Sequence, residues 1–264
     1  MHNAAFRATG IDGVYLPLPA ADIEDFVAFA NGFGLSGASV TIPYKVAIRD
    51  HVTTVQPLAQ QVGAINTLKI DGQRWAGANS DVAGFLQPLR ERGVPVAGSR
   101  VAVVGAGGSA RAVSAGLQQE GAHVTVHARD AVRAQALVND FAAVREGGVG
   151  ASLGAWPVAP GCWDLLVNCT PVGMYPNVTP TPVPADALTG QVVYDLIYNP
   201  PVTRLLKQAA HAGAQEEEQA HNSRPPSAST TAGTASRCAR KSPVTTTRSG
   251  SRSARDCSQW IFRV

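Results

Sequence analysis

The first 92 residues alternate between strand-like and helix-like hydrophobic patterns. The apolar stretch Val14–Leu18 predicts a short strand. A helix is predicted after Asp22, because apolar residues recur at helical spacing from Ile23 to Ala30. Asn31-Gly32 should then end that helix. This alternation predicts an α/β unit.

The next strand, Ala38–Ile42, is ended by Pro43 and leaves Lys45 at a strand-to-helix junction. Open α/β sheets commonly place functional side chains at such junctions. The other predicted elements of this half are a hairpin of Ala64–Ile70 and Arg74–Ala76 about Asp71-Gly72, and a helix from about Val82 to Glu91.

Residues 93–214 predict a doubly wound unit with a parallel sheet. Val101–Val104 is a continuous apolar run, as expected for a strand buried on both faces. The later strands and helices alternate as in βαβ units. They are a helix through Leu117, a strand at Val124–His127, a helix at Ala131–Phe141, and strands at Leu165–Val167 and Val192–Tyr194.

Residues 215–264 differ sharply from the rest of the chain. Between Gln215 and Gln259, Val244 is the only Ile, Leu, Val, Phe or Met. Such a segment buries too little apolar surface to offset the entropy of ordering it. We therefore expect a disordered tail after two folded domains, at residues 1–92 and 93–214.

Charge and composition narrow the function classes. The net charge is +3, but residues 1–214 carry 14 basic against 15 acidic residues, so a near-neutral body gives no electrostatic case for nucleic acid. No apolar run is long enough to span a bilayer, and the N-terminus lacks a signal-peptide pattern. The four cysteines show no metal-ligand spacing, which favours a reducing cytoplasm and no metal site.

A glycine-rich loop, Gly105 to Ala112, follows the buried strand Val101–Val104 and opens a helix. In that context the backbone amides and the helix N-terminus can face a pyrophosphate. The alternative is a tight turn that binds nothing. Because this loop comes second in the chain, the order indicates a substrate domain followed by a dinucleotide-binding domain.

The residues after the second strand of this unit, Val124–His127, bear on whether the cofactor is NAD or NADP. A fold specific for NAD usually carries an acidic residue there, whereas this chain has Arg129, with Arg133 one helical turn later. Two arginines suit the 2′-phosphate of NADP, although solvated surface charges are the alternative interpretation. Asp130 would repel that phosphate and keeps NAD open.

Lys45, Asn66 and Asp81, here called the polar trio, precede the glycine loop. An ammonium group can stabilise the negative charge that forms on a ketone oxygen during reduction and can supply the proton. Asp81 can pair with Lys45, and Asn66 can both donate to and accept from hydroxyl groups. The alternative for Lys45 and Asp81 is a structural salt bridge.

These segments together resemble the shikimate dehydrogenase family from residue 1 to about residue 214. The resemblance is carried by several motifs in the same order as in the family. They are His2–Phe6, Val40–Lys45, Gly63–Thr67, Gly77–Phe85, Gly105–Ala112, Asn168–Met174 and Asp195–Pro200.

The resemblance implies NADPH-dependent reduction of 3-dehydroshikimate to shikimate in aromatic amino acid biosynthesis, by a monomer or homodimer. It assigns Lys45 and Asp81 as the catalytic pair. It implies substrate contacts for Thr41, Asn66, Asp81 and Tyr198. It implies cofactor contacts for Gly105, Ala106, Gly107, Gly108, Ser109, Ala110, Arg129, Arg133, Thr170 and Met174.

Two departures from the family pattern leave other functions open. Family members carry a strand and a Ser-x-Ser-Pro stretch before the His-Asn motif, which here follows Met1 directly, so we expect that first strand to be missing. Past Gly213 they continue into a helix that supplies a glutamine ligand, where this chain has Gln215–Glu218 and the tail. An internal start and a reading-frame shift near residue 215 are the hypotheses for these departures.

The alternatives that stay open are a quinate/shikimate dehydrogenase using NAD and a remnant that binds NADP without turnover. A nucleic-acid binder acting through the basic tail is weakly supported, since the tail lacks interleaved aromatic residues.

Overall fold

The N-terminal part of the structure is built around a small four-stranded sheet. The computed structural model describes residues 2–142, 150–189, 192–212, 215–216 and 260–263. The elements of this part are α1 (His2–Thr9), α2 (Ile23–Phe33), β1 (Gly37–Ser39), a 3₁₀ helix (Ala47–His51), β2 (Thr54–Val55), α3 (Pro57–Val62), β3 (Thr67–Asp71) and β4 (Arg74–Ala78). The strand order is β1-β3-β4-β2, with β2 parallel to β4 and the other pairs antiparallel.

The hairpin β3–β4 forms where the sequence predicts it. Asp71 pairs with Arg74 across the turn. Along β3 the side chains alternate, so that Leu68 and Ile70 are buried while their neighbours are exposed. These two side chains pack with Trp75 in the core of this half. The period-two pattern therefore sets which face of the sheet meets the core.

Helix α2 begins as predicted, because the Asp22 carboxylate accepts a hydrogen bond from the Asp25 amide at 2.8 Å. The prediction that Asn31-Gly32 ends it is wrong, since the helix continues to Phe33. Gly34 takes the left-handed conformation with a φ of 61° and ends the helix there.

The strand predicted at Val14–Leu18 is wrong, because residues 11–20 form no regular secondary structure. Val14, Leu16 and Leu18 are exposed. A strand is stabilised by pairing, and β1 pairs only with β3 in this sheet. The strand predicted at Ala38–Ile42 is also shorter, since β1 ends at Ser39.

The C-terminal part is a parallel, doubly wound sheet. Its elements, reached through α4 (Asp81–Glu91), are β5 (Arg100–Val104), α5 (Gly108–Gln119), β6 (His123–His127), α6 (Ala131–Ala142), β7 (Ser152–Leu153), β8 (Leu165–Asn168), β9 (Val192–Asp195) and α7 (Arg204–His211). The order around β5 is β9-β8-β5-β6-β7. The chain runs outward from β5 to β7, then returns to the other side of β5. The switch point between β5 and β8 is where such sheets bind ligands.

Helices α4 and α5 pack against each other between the two sheets. Val82 and Leu86 of α4 lie against Gly116 of α5, where an added methyl group would be only 3.2–3.3 Å from them. The packed faces of both helices join one buried cluster that also includes Val101 and Val103 of β5. This packing holds the beginning of α4 against the second half of α5. The division of the chain at residue 92 stays a prediction.

Two short pieces of the predicted disordered tail are strands. Gln215–Glu216 (β10) and Trp260–Arg263 (β11) extend the large sheet beyond β9, all in parallel. Trp260-Ile261-Phe262 is a run of strongly β-forming residues, and pairing with β9 outweighs the polar composition around it. Residues 217–259 and Val264 lie outside the described residues.

None of the helices in the described ranges is long and apolar enough to cross a membrane.

Candidate active site

The polar trio is brought together between the two sheets. The Lys45 Nζ lies 2.7 Å from Asp81 Oδ2, and the Asn66 Nδ2 lies 2.7 Å from Asp81 Oδ1. Asp81 therefore accepts a hydrogen bond on each carboxylate oxygen. The side chain of Lys45 is 13% exposed and that of Asp81 is 30% exposed. The pair is thus partly buried but open to a ligand on one side.

Each member of the trio is fixed by the backbone around it. The Lys45 carbonyl accepts from the Ile65 amide at 2.7 Å, which ties the loop after β1 to the residues before β3. Asp81 is the first residue of α4, where a carboxylate is stabilised by the helix N-terminus. Its amide donates to Asn79 Oδ1 at 2.9 Å. The loops ending at β3 and α4 therefore set the distance between the charges.

The Asn66 side chain is held on both its oxygen and its nitrogen. Its Oδ1 accepts from the Ser80 amide at 2.9 Å and from the Thr67 hydroxyl at 2.8 Å, while its Nδ2 donates to Asp81. These contacts fix the orientation of the amide. Sequence reasoning assigned a role to Asn66 but none to Thr67 or Ser80, although both lie within the motifs Gly63–Thr67 and Gly77–Phe85.

The glycine loop lies directly against Lys45. Gly105 has a φ of 116° and packs on Thr170, which follows β8. Gly107 faces open space, with no atom within 4 Å of the position that a methyl group would take. At Gly108, the same methyl group would be 2.9 Å from the Lys45 Cβ. The glycine loop and Lys45 are therefore neighbours.

This loop fits a dinucleotide. It stands at the switch point of the large sheet and opens the twelve-residue helix α5, so its N-terminal amides can receive a phosphate. The open face at Gly107 allows close backbone approach of a ligand. Ala106, Ser109 and Ala110 complete the turn between β5 and the first turn of α5.

Arg129 and Arg133 follow β6 and are exposed. Asp130, which would repel a 2′-phosphate, makes two contacts with Arg133. Its Oδ1 accepts from the Arg133 amide at 3.1 Å, and its Oδ2 lies 3.2 Å from Arg133 Nε. Asp130 thus caps the start of α6 and is already paired with a cation. A structural role accounts for the carboxylate, which weakens the argument for NAD.

A buried network sits behind Thr170. Asn168 Oδ1 accepts from the Thr170 amide and hydroxyl at 3.0 and 2.7 Å, and Asn168 Nδ2 donates to Asp195 Oδ1 at 3.0 Å. The Thr203 hydroxyl donates to Asp195 Oδ2 at 2.6 Å. Burial raises the pKa of Asp195 to about 6, against the opposing effect of its bonds to Thr203, the Ile197 amide and Asn168. Sequence reasoning gave these motif residues no structural role.

Cys169 lies next to this network and is buried. Burial raises the pKa of its thiol far above the usual range, and the nearby Asp195 adds to the effect while Lys45 opposes it. The thiol therefore stays protonated and takes no part as a nucleophile.

Thr41, Met174 and Tyr198 are exposed in the structure, Tyr198 by 74% of its surface. Thr41 lies in the same loop as Lys45, and its carbonyl accepts from the Tyr44 amide at 2.9 Å. The ligand contacts assigned to these three side chains stay predictions.

Comparison with known proteins decides the family. Residues 1–68 match the family described as the shikimate dehydrogenase substrate binding domain. A relative from Symbiobacterium thermophilum, named shikimate dehydrogenase (NADP(+)), is 40% identical over 227 residues, covering 81% of this chain and 76% of the relative. The chain belongs to the shikimate dehydrogenase family.

Solved shikimate dehydrogenases share the fold described above. The Thermus thermophilus enzyme, in complex with NADP(H) and shikimate, has a TM-score of 0.65 and 33% identity, with 80% of this chain and 78% of that chain covered. The Listeria monocytogenes enzyme, in complex with shikimate and NAD, has a TM-score of 0.67 and 28% identity, with 81% and 78% covered. The α/β fold with a dinucleotide-binding half predicted from the sequence is thereby confirmed.

Proposed function

We propose that this shikimate dehydrogenase homologue reduces 3-dehydroshikimate to shikimate with NADPH, as a step in aromatic amino acid biosynthesis. The observation that carries the proposal is the Lys45–Asp81 pair at 2.7 Å, with the stem of Lys45 against the glycine loop. A proton donor for a ketone oxygen thus stands beside the place where the cofactor would lie. A salt bridge that served only the fold would not need to lie beside a cofactor-binding loop.

The residues present fit the cofactor. Residues Gly105 to Ala110 would hold the pyrophosphate, and Arg129 and Arg133 would hold the 2′-phosphate. Thr170 and Met174 would lie along the nicotinamide. When bound, NADPH supplies the hydride that reduces the ketone carbon.

The protein's own residues handle the charge and the proton. Negative charge develops on the ketone oxygen, where the Lys45 ammonium stabilises it and then donates its proton. Asp81 orients that ammonium through Oδ2, and Asn66 fixes the carboxylate through Oδ1. Thr41, Asn66, Asp81 and Tyr198 would bind the ring hydroxyls. In the reverse direction, neutral Lys45 would accept the hydroxyl proton.

The test is a comparison of four substrate pairs on the purified chain: shikimate or quinate with NADP⁺ or NAD⁺, followed by absorbance of the reduced cofactor. We expect the highest kcat/KM for shikimate with NADP⁺. A preference for quinate with NAD⁺ would instead support a quinate/shikimate dehydrogenase. Measurable NADPH binding without turnover would support a binding protein that has lost the reaction.

We also place the protein in the cytoplasm, as a monomer or homodimer that works on a small-molecule substrate without a nucleic-acid or membrane partner. The free thiols of Cys162 and Cys169 are compatible with a reducing compartment. Light scattering coupled to size-exclusion chromatography would give the oligomeric state, and cell fractionation would give the compartment.

A further inference from the structure

Gly108 stands at the contact between the glycine loop and Lys45. A methyl group built on Gly108 would be 2.9 Å from the Lys45 Cβ and 3.2 Å from its Cδ. Folded proteins essentially never show a Cβ contact under 3.0 Å, so one side would have to move. The space that a side chain at position 108 would occupy is therefore taken by the aliphatic stem of Lys45.

The backbone of Gly108 does not itself require glycine. Gly108 is the first residue of α5 and is not among the residues with positive φ, unlike Gly105. Helix propensity alone favours alanine over glycine. Gly107, its neighbour, has no atom within 4 Å of the equivalent methyl position. The two adjacent glycines thus differ: Gly107 faces open space and Gly108 faces Lys45.

Lys45 has little freedom to give way. The closest of the crowded atoms is Cβ, at the base of the side chain, so rotation of the ammonium end cannot relieve that contact. Its carbonyl is bonded to the Ile65 amide, and the Tyr44 hydroxyl donates to the carbonyls of Ala20 and Ala21 at 3.1 and 2.9 Å. Its Nζ is held by Asp81. Displacing the stem would therefore pull Nζ away from the carboxylate.

We propose that Gly108 is a positioning residue for Lys45, and that its lack of a side chain seats the lysine stem so that Nζ meets Asp81 beside the phosphate loop. The inference deepens the proposed function and rests on it for its catalytic consequence. An alanine at 108 would keep the backbone amide that a phosphate can bind. The backbone amide of Gly108 thus serves the ligand while its missing side chain serves the lysine, whereas at Gly107 the missing side chain leaves space for the ligand.

The kinetic experiment compares Gly108→Ala with Gly107→Ala and with Gly84→Ala, an exposed position of α4 where a methyl group meets open space. We expect Gly108→Ala to lower kcat by roughly 10- to 100-fold, the cost of a misplaced reacting group, with unchanged NADPH affinity by fluorescence titration. Gly107→Ala should mainly weaken NADPH binding. Gly84→Ala should change neither. Loss of NADPH affinity with unchanged kcat in Gly108→Ala would overturn the proposal.

A second readout is independent of turnover. The chain has four lysines, at positions 45, 69, 207 and 241, so reductive ¹³C-methylation gives a simple NMR spectrum that Lys45→Arg assigns. In the apo protein, Gly108→Ala should move the Lys45 signal towards its position in Asp81→Asn, whereas Gly84→Ala should not. An unmoved signal would refute the positioning role. A Gly108→Ala chain that does not fold would also count against it, since Gly108 would then serve the fold.

These two experiments separate the two proposals. If the wild-type chain turns over none of the substrate pairs, the proposed function fails, yet the NMR comparison still reports whether Gly108 seats Lys45. If the wild type is active and the Lys45 signal does not respond to Gly108→Ala, only the positioning role fails.

Discussion

The carboxylate of Asp81 is the common partner of the two other members of the polar trio. One oxygen accepts from Lys45 and the other from Asn66, so neither can be lost without leaving a partly buried acceptor unsatisfied. An ordinary surface ion pair contributes little and orients nothing. The convergence of three side chains from three loops gives Lys45 a defined direction, which a proton donor requires.

Removal of the ammonium group tests the role of Lys45. Lys45→Ala should lower kcat by about 10²- to 10⁴-fold, the range for loss of a general acid, while NADPH affinity stays close to that of the wild type. Steady-state kinetics and fluorescence titration measure the two effects. Lys69→Ala is the matched control, because Lys69 is exposed on β3. Equal losses in kcat and cofactor affinity would contradict the assigned role.

We expect the choice between NADPH and NADH to depend on Arg129 and Arg133. Arg133→Ala and Arg129→Ala should each weaken NADPH binding by roughly 10-fold and leave NADH binding nearly unchanged, because only NADPH carries the 2′-phosphate. The measurement is the ratio of the two dissociation constants. Arg74→Ala is a close control, since Arg74 pairs with Asp71 three residues away just as Arg133 pairs with Asp130. An unchanged ratio would show that both arginines are solvated surface charges that do not bind the 2′-phosphate.

At the scale of elements, β8, β9 and α7 are joined by the buried Asp195. The carboxylate receives hydrogen bonds from Asn168 at the end of β8 and from Thr203 at the start of α7. Asn168 in turn holds Thr170, which packs against Gly105. The ends of three elements are thus fixed together behind the expected nicotinamide site.

The raised pKa of Asp195 predicts a pH-dependent stability. Between the ordinary value of 3.8 and the folded value of about 6, the folded chain holds a proton that the unfolded chain has lost. The contribution of Asp195 to stability therefore falls as the pH rises through this window and is constant above it. Asp195→Asn should remove that dependence, so the free energy of unfolding of the wild type should fall relative to that of the variant by about 2 kcal/mol between pH 4 and pH 6.5.

Urea unfolding at several pH values measures this difference. Asp186→Asn is the control, because Asp186 is an exposed acid in the same part of the chain. Parallel curves for wild type and Asp195→Asn would show that Asp195 has the same pKa folded and unfolded, and would contradict the prediction.

Local patterns predicted the elements whose stability is local. The hairpin at Asp71-Gly72, the cap at Asp22 and the glycine loop each depend on a few adjacent residues, and each forms as predicted. The apolar stretch Val14–Leu18 was predicted as a strand but forms none, since pairing partners are a property of the whole sheet. The same reasoning missed β11, whose pairing with β9 joins residues about 68 positions apart.

In the site, too, local features could be predicted from the sequence and long-range contacts could not. The identities of Lys45, Asn66 and Asp81 could be predicted from motifs, because each motif fixes a residue type at a loop. The contact of Lys45 with Gly108 could not, since it joins two loops that lie 63 positions apart in the chain. Neither could the bonds of Asp195, which close only when β8, β9 and α7 assemble.

At the scale of the whole molecule, α4 and α5 connect the two halves of the site. Asp81 is the first residue of α4 and Gly108 the first of α5, so each helix carries one part of the site at its N-terminus. Leu86 is 2% exposed and fills the space beside Gly116. Leu16, in contrast, is 58% exposed in a segment without regular structure.

These two leucines therefore give a matched prediction. Leu86→Ala should lower the free energy of unfolding by about 2–5 kcal/mol, because it leaves a cavity between the helices. Leu16→Ala should cost less than about 0.5 kcal/mol. Urea unfolding followed by circular dichroism measures both. Because the lost contact also holds α4, which carries Asp81, against α5, which carries Gly108, we expect Leu86→Ala to lower kcat even where the variant is fully folded. A folded Leu86→Ala with wild-type kcat would show that the loops, rather than the helix pair, set the geometry of the site.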